Sequence, residues 1–369
     1  MSISHKIAKV EVELCSTPVT SGAADATRKV ESIGFLFVKL TTDQGLEGFG
    51  VTYHEVGGEA TQVLIEKNIK DKLIGVDPFA TDVFLNEMAA YLRGVGRKGL
   101  MWCALSAVDI ALWDLKGKIL GMPIYKLIGG NRSDVEVYAS GGWTSYSDEE
   151  LVEEIKGMTA QGYKKVKFKV GVEGGQNPGR DVRRVQKVRD AIGPDIGIML
   201  DANNCWDAAT GARFANMVKE CDVMFLEEPV MADDLPGLAR YKRSTDLPLA
   251  TGEHEYTKYG VRDLLINSAA DIIQTDGART GGFTELLKIA ALTQAWNVKL
   301  APHAMELIHM QIVGGVYNCP YLEKLMLFDE LTYGAFKNAP RPVNGMLHIP
   351  DLPGLGLTLD EDYIRDHKG

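Results

Sequence analysis

The sequence predicts an α/β protein whose larger part is a closed barrel of seven or eight β/α units, preceded by a strand-rich module. Three observations carry this. From about residue 131 onward, short β-rich runs alternate with helix-length amphipathic segments, the pattern of parallel strands covered by helices. Seven such runs recur at a near-constant interval, which points to a closed barrel rather than an open sheet. None of the runs is followed by GxGxxG, so a dinucleotide-binding fold lacks its fingerprint.

In chain order, residues 9–14 and 35–41 alternate polar and apolar as strands do, and the stretch 45–50 with its glycines reads as turns between strand pairs. Leu105, Val108, Leu112 and Leu115 fall at helical spacing. Gly121 and Pro123 end that helix, and Gly129-Gly130 mark a break, placing a domain boundary near residue 131. The barrel runs are VEVYAS (135–140), KVKFKV (165–170), IGIMLD (196–201), VMFLE (223–227), LPLATGE (247–253), DIIQTD (271–276) and VKLAPH (298–303). Segments such as 181–192 and 285–295 have the length and periodicity of the intervening helices. From about Met326 the chain turns to Pro- and Gly-rich loops and short strands. That portion is too short to fold alone and is expected to pack back on the N-terminal module. The expected division is therefore 1–130, 131–325 and 326–369.

Composition excludes several classes. Of 369 residues, 45% are hydrophobic and 24% charged, which is ordinary for a globular protein and argues against disorder. Forty basic against fifty acidic residues leave a net charge of -10, with no basic surplus for nucleic acid. No apolar run approaches the roughly 18 residues of a membrane span, and the opening MSISHKIAKVEVELC has no signal-peptide core. The five cysteines (15, 103, 205, 221 and 319) are odd in number, scattered and without a CxxC pair. They read as reduced core thiols of a cytoplasmic protein.

The chemistry lies in a register. Each barrel run after the first ends at or beside a reactive side chain: Lys169, Asp201, Glu227, Glu253, Asp276 and His303, separated by 32, 26, 26, 23 and 27 residues. Any one alone reads as a helix cap or a solvated loop residue. Six in step with the β/α repeat converge on one site at the C-terminal mouth of the barrel. Asp201, Glu227 and Glu253 are carboxylates on successive strands and would repel one another without a cation. All-oxygen ligation suits one Mg²⁺, with Mn²⁺ as a substitute, and the absence of Cys or His among the three disfavours zinc.

Lys167 and Lys169 lie two apart, so both face one side of their strand while Val166, Phe168 and Val170 face the other. The apolar side must meet the helices, so the lysines point into the barrel. There, beside each other and a cation, a lysine is expected to have a lowered pKa and to act as a base. Asp276 and His303 end neighbouring strands, and an Asp that accepts from one imidazole nitrogen leaves the other free for proton transfer.

This set resembles the mandelate racemase subgroup of the enolase superfamily over essentially the whole chain. KFKVG carries its Lys-x-Lys at Lys167 and Lys169. DANN carries the metal ligand Asp201 and the substrate-contacting Asn203. FLEEP carries Glu227 and TGE carries Glu253. Glu323, twenty residues after His303, matches the acid that bonds the substrate carboxylate. SAVDIALWDLKGKILGMP (106–123) is similar to the family's capping domain and PDLPGLGL (350–357) to its C-terminal return. The resemblance implies a TIM-type barrel with an α+β N-terminal cap completed by the C-terminal segment, and a homo-oligomer.

It also implies the reaction: abstraction of the proton α to a carboxylate, through an enediolate stabilised by Mg²⁺, Lys167 and a donor such as protonated Glu323. Lys169 and His303 lie on opposite sides of the substrate in this subgroup. Dehydration, racemisation or epimerisation, and cycloisomerisation all remain open to these residues. The expected cap loops, 16–32 and 52–60, are polar, with Thr17, Thr20, Ser21, Arg28, Tyr53, His54 and Glu55 available to hydroxyls. A phenyl ring would call for apolar residues there. The best reading is therefore dehydration of an acid sugar to a 2-keto-3-deoxy acid, with Arg28 and Tyr53 as substrate contacts. A non-catalytic sugar-acid binder should have lost some of the set, and none is missing. A phosphate loop at GARTGG (277–282) would follow the wrong strand.

Overall fold

In the computed structural model, which describes residues 4–368, the chain opens with an antiparallel sheet of β1 (Ile7–Pro18), β2 (Ser32–Thr42) and β3 (Glu47–His54). β2 is buried on both faces, and its alternation sorts side chains into two cores. Leu36, Val38 and Leu40 pack with the helix Leu100–Leu120, while Phe35 and Phe37 join the core shared with the barrel and the C-terminal segment.

The glycines of 45–50 do not all mark a turn, as the sequence suggested. The turn is confined to residues 43–46, where Gly45 has φ 78 and Thr42 donates to Leu46 C=O at 2.9 Å. Gly48 and Gly50 lie inside β3 because the long helix presses against it. A Cβ on Gly50 would sit 1.9 Å from the Ala107 carbonyl oxygen, and one on Gly48 2.6 Å from Leu115 Cγ. Close backbone approach, not reversal, selects glycine there.

The helix Leu100–Leu120 ends at Gly121, whose φ of 66 allows the left-handed cap. Its few polar side chains bolt the cap to the barrel. Ser106 Oγ accepts from Gly281 N–H at 2.7 Å, Asp109 accepts from Thr284 N–H at 2.9 Å, and Trp113 donates to Thr284 Oγ1 at 2.8 Å. Asp114 accepts from Phe49 N–H and Leu355 N–H, at 3.0 and 2.8 Å, tying β3 to the C-terminal segment.

The barrel strands are β4 (Asp134–Gly141), β5 (Lys165–Lys169), β6 (Gly197–Asp201), β7 (Val223–Glu227), β8 (Leu249–Thr251), β9 (Ile272–Ile273), β10 (Lys299–Leu300) and β11 (Leu322–Leu325). They are parallel in the order β10-β9-β8-β7-β6-β5-β4-β11. Leu300 N–H donates to Asn318 C=O at 3.0 Å, joining β10 to the approach of β11. β11 is the one strand the sequence runs omit. Its LEKL is half charged, yet all four residues are buried: Lys324 pairs with Glu306 and Asp329, while Glu323 pairs with Lys167. The interior below the site is filled by Tyr138, Met199, Phe225, Ala250, Ile272 and Ala301. Helices follow the strand ends, several with side-chain caps, such as Ser147, Asp207 and Thr257.

The segment beyond 326 touches both domains. Phe336 lies against Phe35, Phe37 and Phe49, with ring centroids 5.9–6.3 Å apart. The helix Glu361–Asp366 reaches the cap sheet through Glu361, whose carboxylate pairs with Lys39 at 2.9 Å. β12 (Met346–His348) pairs antiparallel with β4. Among the described residues all five cysteines are free thiols, and no helix is long and apolar enough to cross a membrane.

Two outcomes follow from this packing. Gly50→Ala should destabilise the protein by about 3 kcal/mol or more, read as a lowered denaturation midpoint. Asp109 is the second case: burial pushes its carboxyl up to about 7, against the bond from Thr284. Its folded pKa thus exceeds the unfolded value, so stability falls as pH rises from about 4 to 7. Asp109→Asn should therefore gain stability over the parent progressively across that window and hold the gain at pH 8. A constant difference across pH would refute this.

Candidate active site

Strand register builds the site. The Cα partners Lys169↔Asp201 and Asp201↔Glu227 place three ionisable side chains abreast at the ends of β5, β6 and β7. They share the inward face with Lys167, Met199 and Phe225, so the charged layer sits directly above an apolar floor. Glu253 and Asp276 lie just past β8 and β9, His303 just past β10, and Glu323 within β11. All six residues of the sequence register converge here. Three of them, Lys169, Glu253 and His303, line a cavity of about 400 Å³ between barrel and cap, with Asn203, His254 and Arg279 from below and Asp25, Arg28, Tyr53 and Glu55 from the cap.

The charges are matched in pairs. Lys167 Nζ bridges Glu227 Oε2 at 2.5 Å and Glu323 Oε1 at 2.7 Å. Lys169 pairs with Asp201. His303 Nδ1 lies 3.1 Å from Asp276 Oδ2, and its Nε2 lies 3.3 Å from Glu253 Oε2. A carboxylate only accepts, so Asp276 fixes the proton on Nδ1. Asp276 also accepts from Ala278 N–H at 2.7 Å, which holds it in place.

These pairs set the titration. Burial alone would lower His303, but Glu253 and Asp276 outweigh it and raise it to about 10. Burial raises Glu227 to about 8 despite Lys167. Glu253 and Asp276 are held far down by the histidines, against the effect of burial. Without a cation at the carboxylates, burial pulls the lysines down, but Glu227 and Glu323 raise Lys167 and Asp201 raises Lys169. One expectation is corrected: Glu323 is not a protonated donor. Burial would raise it, yet Lys167 and His303 bring it down to about 2, and it accepts from Ala304 N–H at 2.9 Å.

The donor chemistry fits a hard divalent cation. Asp201, Glu227 and Glu253 supply only oxygen, and Glu227 Oε1 is buried without a hydrogen-bond partner. Glu228, Glu253 and His254 also bring ligand atoms within 4.8 Å of one another. In that group, however, His254 Nδ1 and Glu228 Oε1 already satisfy each other at 2.8 Å. The orphaned Glu227 oxygen favours the all-oxygen set.

Around this centre, Asn203 has φ 41, and its backbone N–H donates to Asp201 Oδ1 at 2.9 Å. Tyr53 Oη lies 3.5 Å from His303 Nδ1 and accepts from Arg279 Nη1 at 3.1 Å. Arg28 Nη2 pairs with Glu55 Oε2 at 2.6 Å. Thr17, Thr20 and Ser21, expected at the mouth, instead line a separate hollow beside Tyr146 and Glu330, because β1 carries the chain past the mouth before it turns. His54 keeps a place on the cavity wall. Sequence reasoning missed His254 and Arg279 as cavity residues. His254 follows a residue already assigned inward, and strand alternation points it away, but β8 ends at Thr251 and alternation ends with it. Arg279 was visible only inside the discounted glycine-rich segment.

Residues 7–129 match the family model for the mandelate racemase / muconate lactonizing enzyme N-terminal domain, and residues 150–363 match the enolase C-terminal domain-like model. The chain is 31% identical over 338 residues to arabinonate dehydratase of Saccharolobus solfataricus, covering 89% of each chain. It is 31% identical over 367 residues to L-talarate/galactarate dehydratase of Salmonella typhimurium, covering 98% of this chain and 90% of that one. Its structure superposes at a TM-score of 0.93 on a racemase from Streptomyces coelicolor A3(2) with bound magnesium, at 29% identity, over 98% of this chain and all of that one.

The carboxylate set predicts a cation titration. Adding Mg²⁺ to chelator-treated protein should raise its melting temperature. Asp201→Asn and Glu227→Gln should weaken Mg²⁺ binding by about tenfold or more, since each removes a charged oxygen ligand. Unchanged calorimetric affinity in both variants would place the cation elsewhere.

Proposed function

The chain belongs to the mandelate racemase/muconate lactonizing enzyme family of the enolase superfamily, and from that premise we propose that it is a Mg²⁺-dependent acid sugar dehydratase, acting in the cytoplasm as a homo-oligomer. One observation carries the reading. Lys169 and the Asp276-braced His303 face the same polar cavity from well-separated strands, with Glu253 beside the imidazole. This gives two proton carriers around a carboxylate-binding centre.

Mg²⁺ held by Asp201, Glu227 and Glu253 would supply Lewis acidity to the substrate carboxylate and so acidify the proton α to it. Lys167, fixed between Glu227 and Glu323, adds a buried positive charge where the enediolate develops. Glu323 acts on the substrate through Lys167, as a paired carboxylate. The ion pair with Asp201 holds Lys169 protonated, so Lys169 would serve as a base where that carboxylate was committed to holding the cation. One of Lys169 and His303 takes the α-proton, and the other gives a proton to the β-hydroxyl. The Cα–H and Cβ–O bonds break, water leaves, and the enol tautomerises to a 2-keto-3-deoxy acid. Asn203, Arg28 and Tyr53 bind substrate oxygens. A polyhydroxy chain suits the hydrogen-bonding wall formed by Arg28, Glu55, Tyr53 and Asn203 better than an aromatic one.

The names of two relatives, arabinonate dehydratase and L-talarate/galactarate dehydratase, agree in reaction and in substrate class. The test is proton NMR in D₂O with Mg²⁺ across pools of mono- and diacid sugars. The expected product is a 2-keto-3-deoxy acid carrying deuterium at its third carbon. Loss of the α-proton signal without elimination would replace dehydration by epimerisation. Lys169→Ala and His303→Ala should each lower kcat by about 1,000-fold or more while leaving calorimetric Mg²⁺ binding in place, since neither is a ligand. Loss of the metal in either variant would overturn these roles.

A further inference from the structure

We propose that His254 is a specificity-determining substrate contact, whose Nε2 hydrogen-bonds a hydroxyl of the acid sugar beyond its reacting carbons. This rests on the dehydratase reading for the nature of the substrate, and the geometry for it is independent of the catalytic set. Asn204, Glu228 and His254 follow Asp201, Glu227 and Glu253 on the same three strand ends, one to three residues further out. They form a second hydrogen-bonded set beside the carboxylates, of which His254 reaches the cavity. Asn204 Nδ2 donates to Glu228 Oε2 at 2.5 Å, and Asn204 N–H donates to the Glu228 carbonyl at 2.7 Å. Asn204 Oδ1 accepts from Ala232 N–H at 2.7 Å. Glu228 is fully buried, and its second oxygen is met by His254 Nδ1 at 2.8 Å.

That network decides which atom of His254 is free. Glu228 can only accept, so Nδ1 carries the hydrogen and is committed. Nε2 has no hydrogen-bond partner among the described residues, and the side chain is 43% exposed on the cavity wall. If satisfying Glu228 were its whole purpose, a neutral amide would suffice, as Asn204 shows at the other oxygen. Two of the three cavity histidines are each braced from behind by a fully buried carboxylate, Asp276 for His303 and Glu228 for His254. They meet Glu253 differently: His303 through Nε2 at 3.3 Å, His254 through the Nδ1 already bonded to Glu228, at 3.9 Å. His303 is also within reach of Tyr53 and stands with the proton-transfer groups. His254 shares the cavity wall with Arg28 and Glu55, polar groups that would receive the part of a substrate chain beyond its reacting carbons.

His254→Asn tests this, because the shorter amide can still donate to Glu228 but carries nothing in the place of Nε2. The folded state and the calorimetric Mg²⁺ affinity should stay as in the parent. For the acid sugar turned over best, kcat/KM should fall about 10- to 100-fold, the loss of one hydrogen bond to a charged or polar partner. The decisive comparison uses that acid sugar and its 4-, 5- and 6-deoxy counterparts. The parent should discriminate against one of the three by a similar factor, and in His254→Asn that single discrimination should disappear. Undiminished discrimination at all three positions would overturn the proposal. So would a fall in Mg²⁺ affinity, which would put His254 in the cation's coordination sphere. If the parent dehydrates none of the acid sugars, the dehydratase reading fails on its own. The contact is then judged by calorimetric binding of the Mg²⁺-loaded protein to aldonohydroxamates and their deoxy counterparts, with the same two outcomes.

Discussion

Five carboxylates, Asp201, Glu227, Glu253, Asp276 and Glu323, crowd into the mouth of one barrel, four of them fully buried or nearly so. Such a cluster is tolerable only if each member meets positive charge. Lys167, Lys169 and His303 answer that demand within the protein, and Mg²⁺ completes it. The consequence is a site whose ionisable side chains are oriented by their own counter-ions. The apolar layer of Met199, Phe225 and Ile272 beneath keeps the pairs strong by keeping water out of the floor.

The cap depends on a different constraint. Its sheet meets the barrel through the helix Leu100–Leu120, which is buried on nearly every side and therefore must place its few polar groups against partners. Ser106, Asp109 and Trp113 take theirs from residues 281–284, in the loop and helix that begin just past Asp276 and Arg279. The bolt thus ends beside the catalytic mouth, and Tyr53 at the end of β3 comes within reach of both Arg279 and His303. Backbone pressed so close to β3 also explains two glycines within a strand.

Much of the site was legible because a β/α barrel turns a one-dimensional interval into a shared direction. Strand ends recurring every 23 to 32 residues brought Lys169 through His303 together without any knowledge of contacts. The period of two put Lys167 and Lys169 inside, where they are. β11 escaped because periodicity assigns LEKL no apolar face, and its burial rests on ion pairs with Lys167, Glu306 and Asp329 that are distant in sequence or on another element.

Alone, then, the sequence determined the barrel and the convergence of charged strand ends, which follow from local alternation and from spacing, and its motifs carried the family resemblance. Tertiary structure decided the rest. Whether a buried lysine is raised or lowered depends on which carboxylate lies at 2.5 Å, and whether Glu323 donates or accepts depends on Lys167 and the Ala304 N–H. Which cap residues see the cavity depends on where β1 and β3 deliver the chain, so Arg28, Tyr53 and Glu55 reach it while Thr17, Thr20 and Ser21 do not. His254 became a cavity residue because β8 stops at Thr251 and a buried glutamate from the neighbouring strand holds the imidazole in place. Pairwise electrostatics and side-chain direction past a strand end are set by neighbours in space, and spacing along the chain does not encode them.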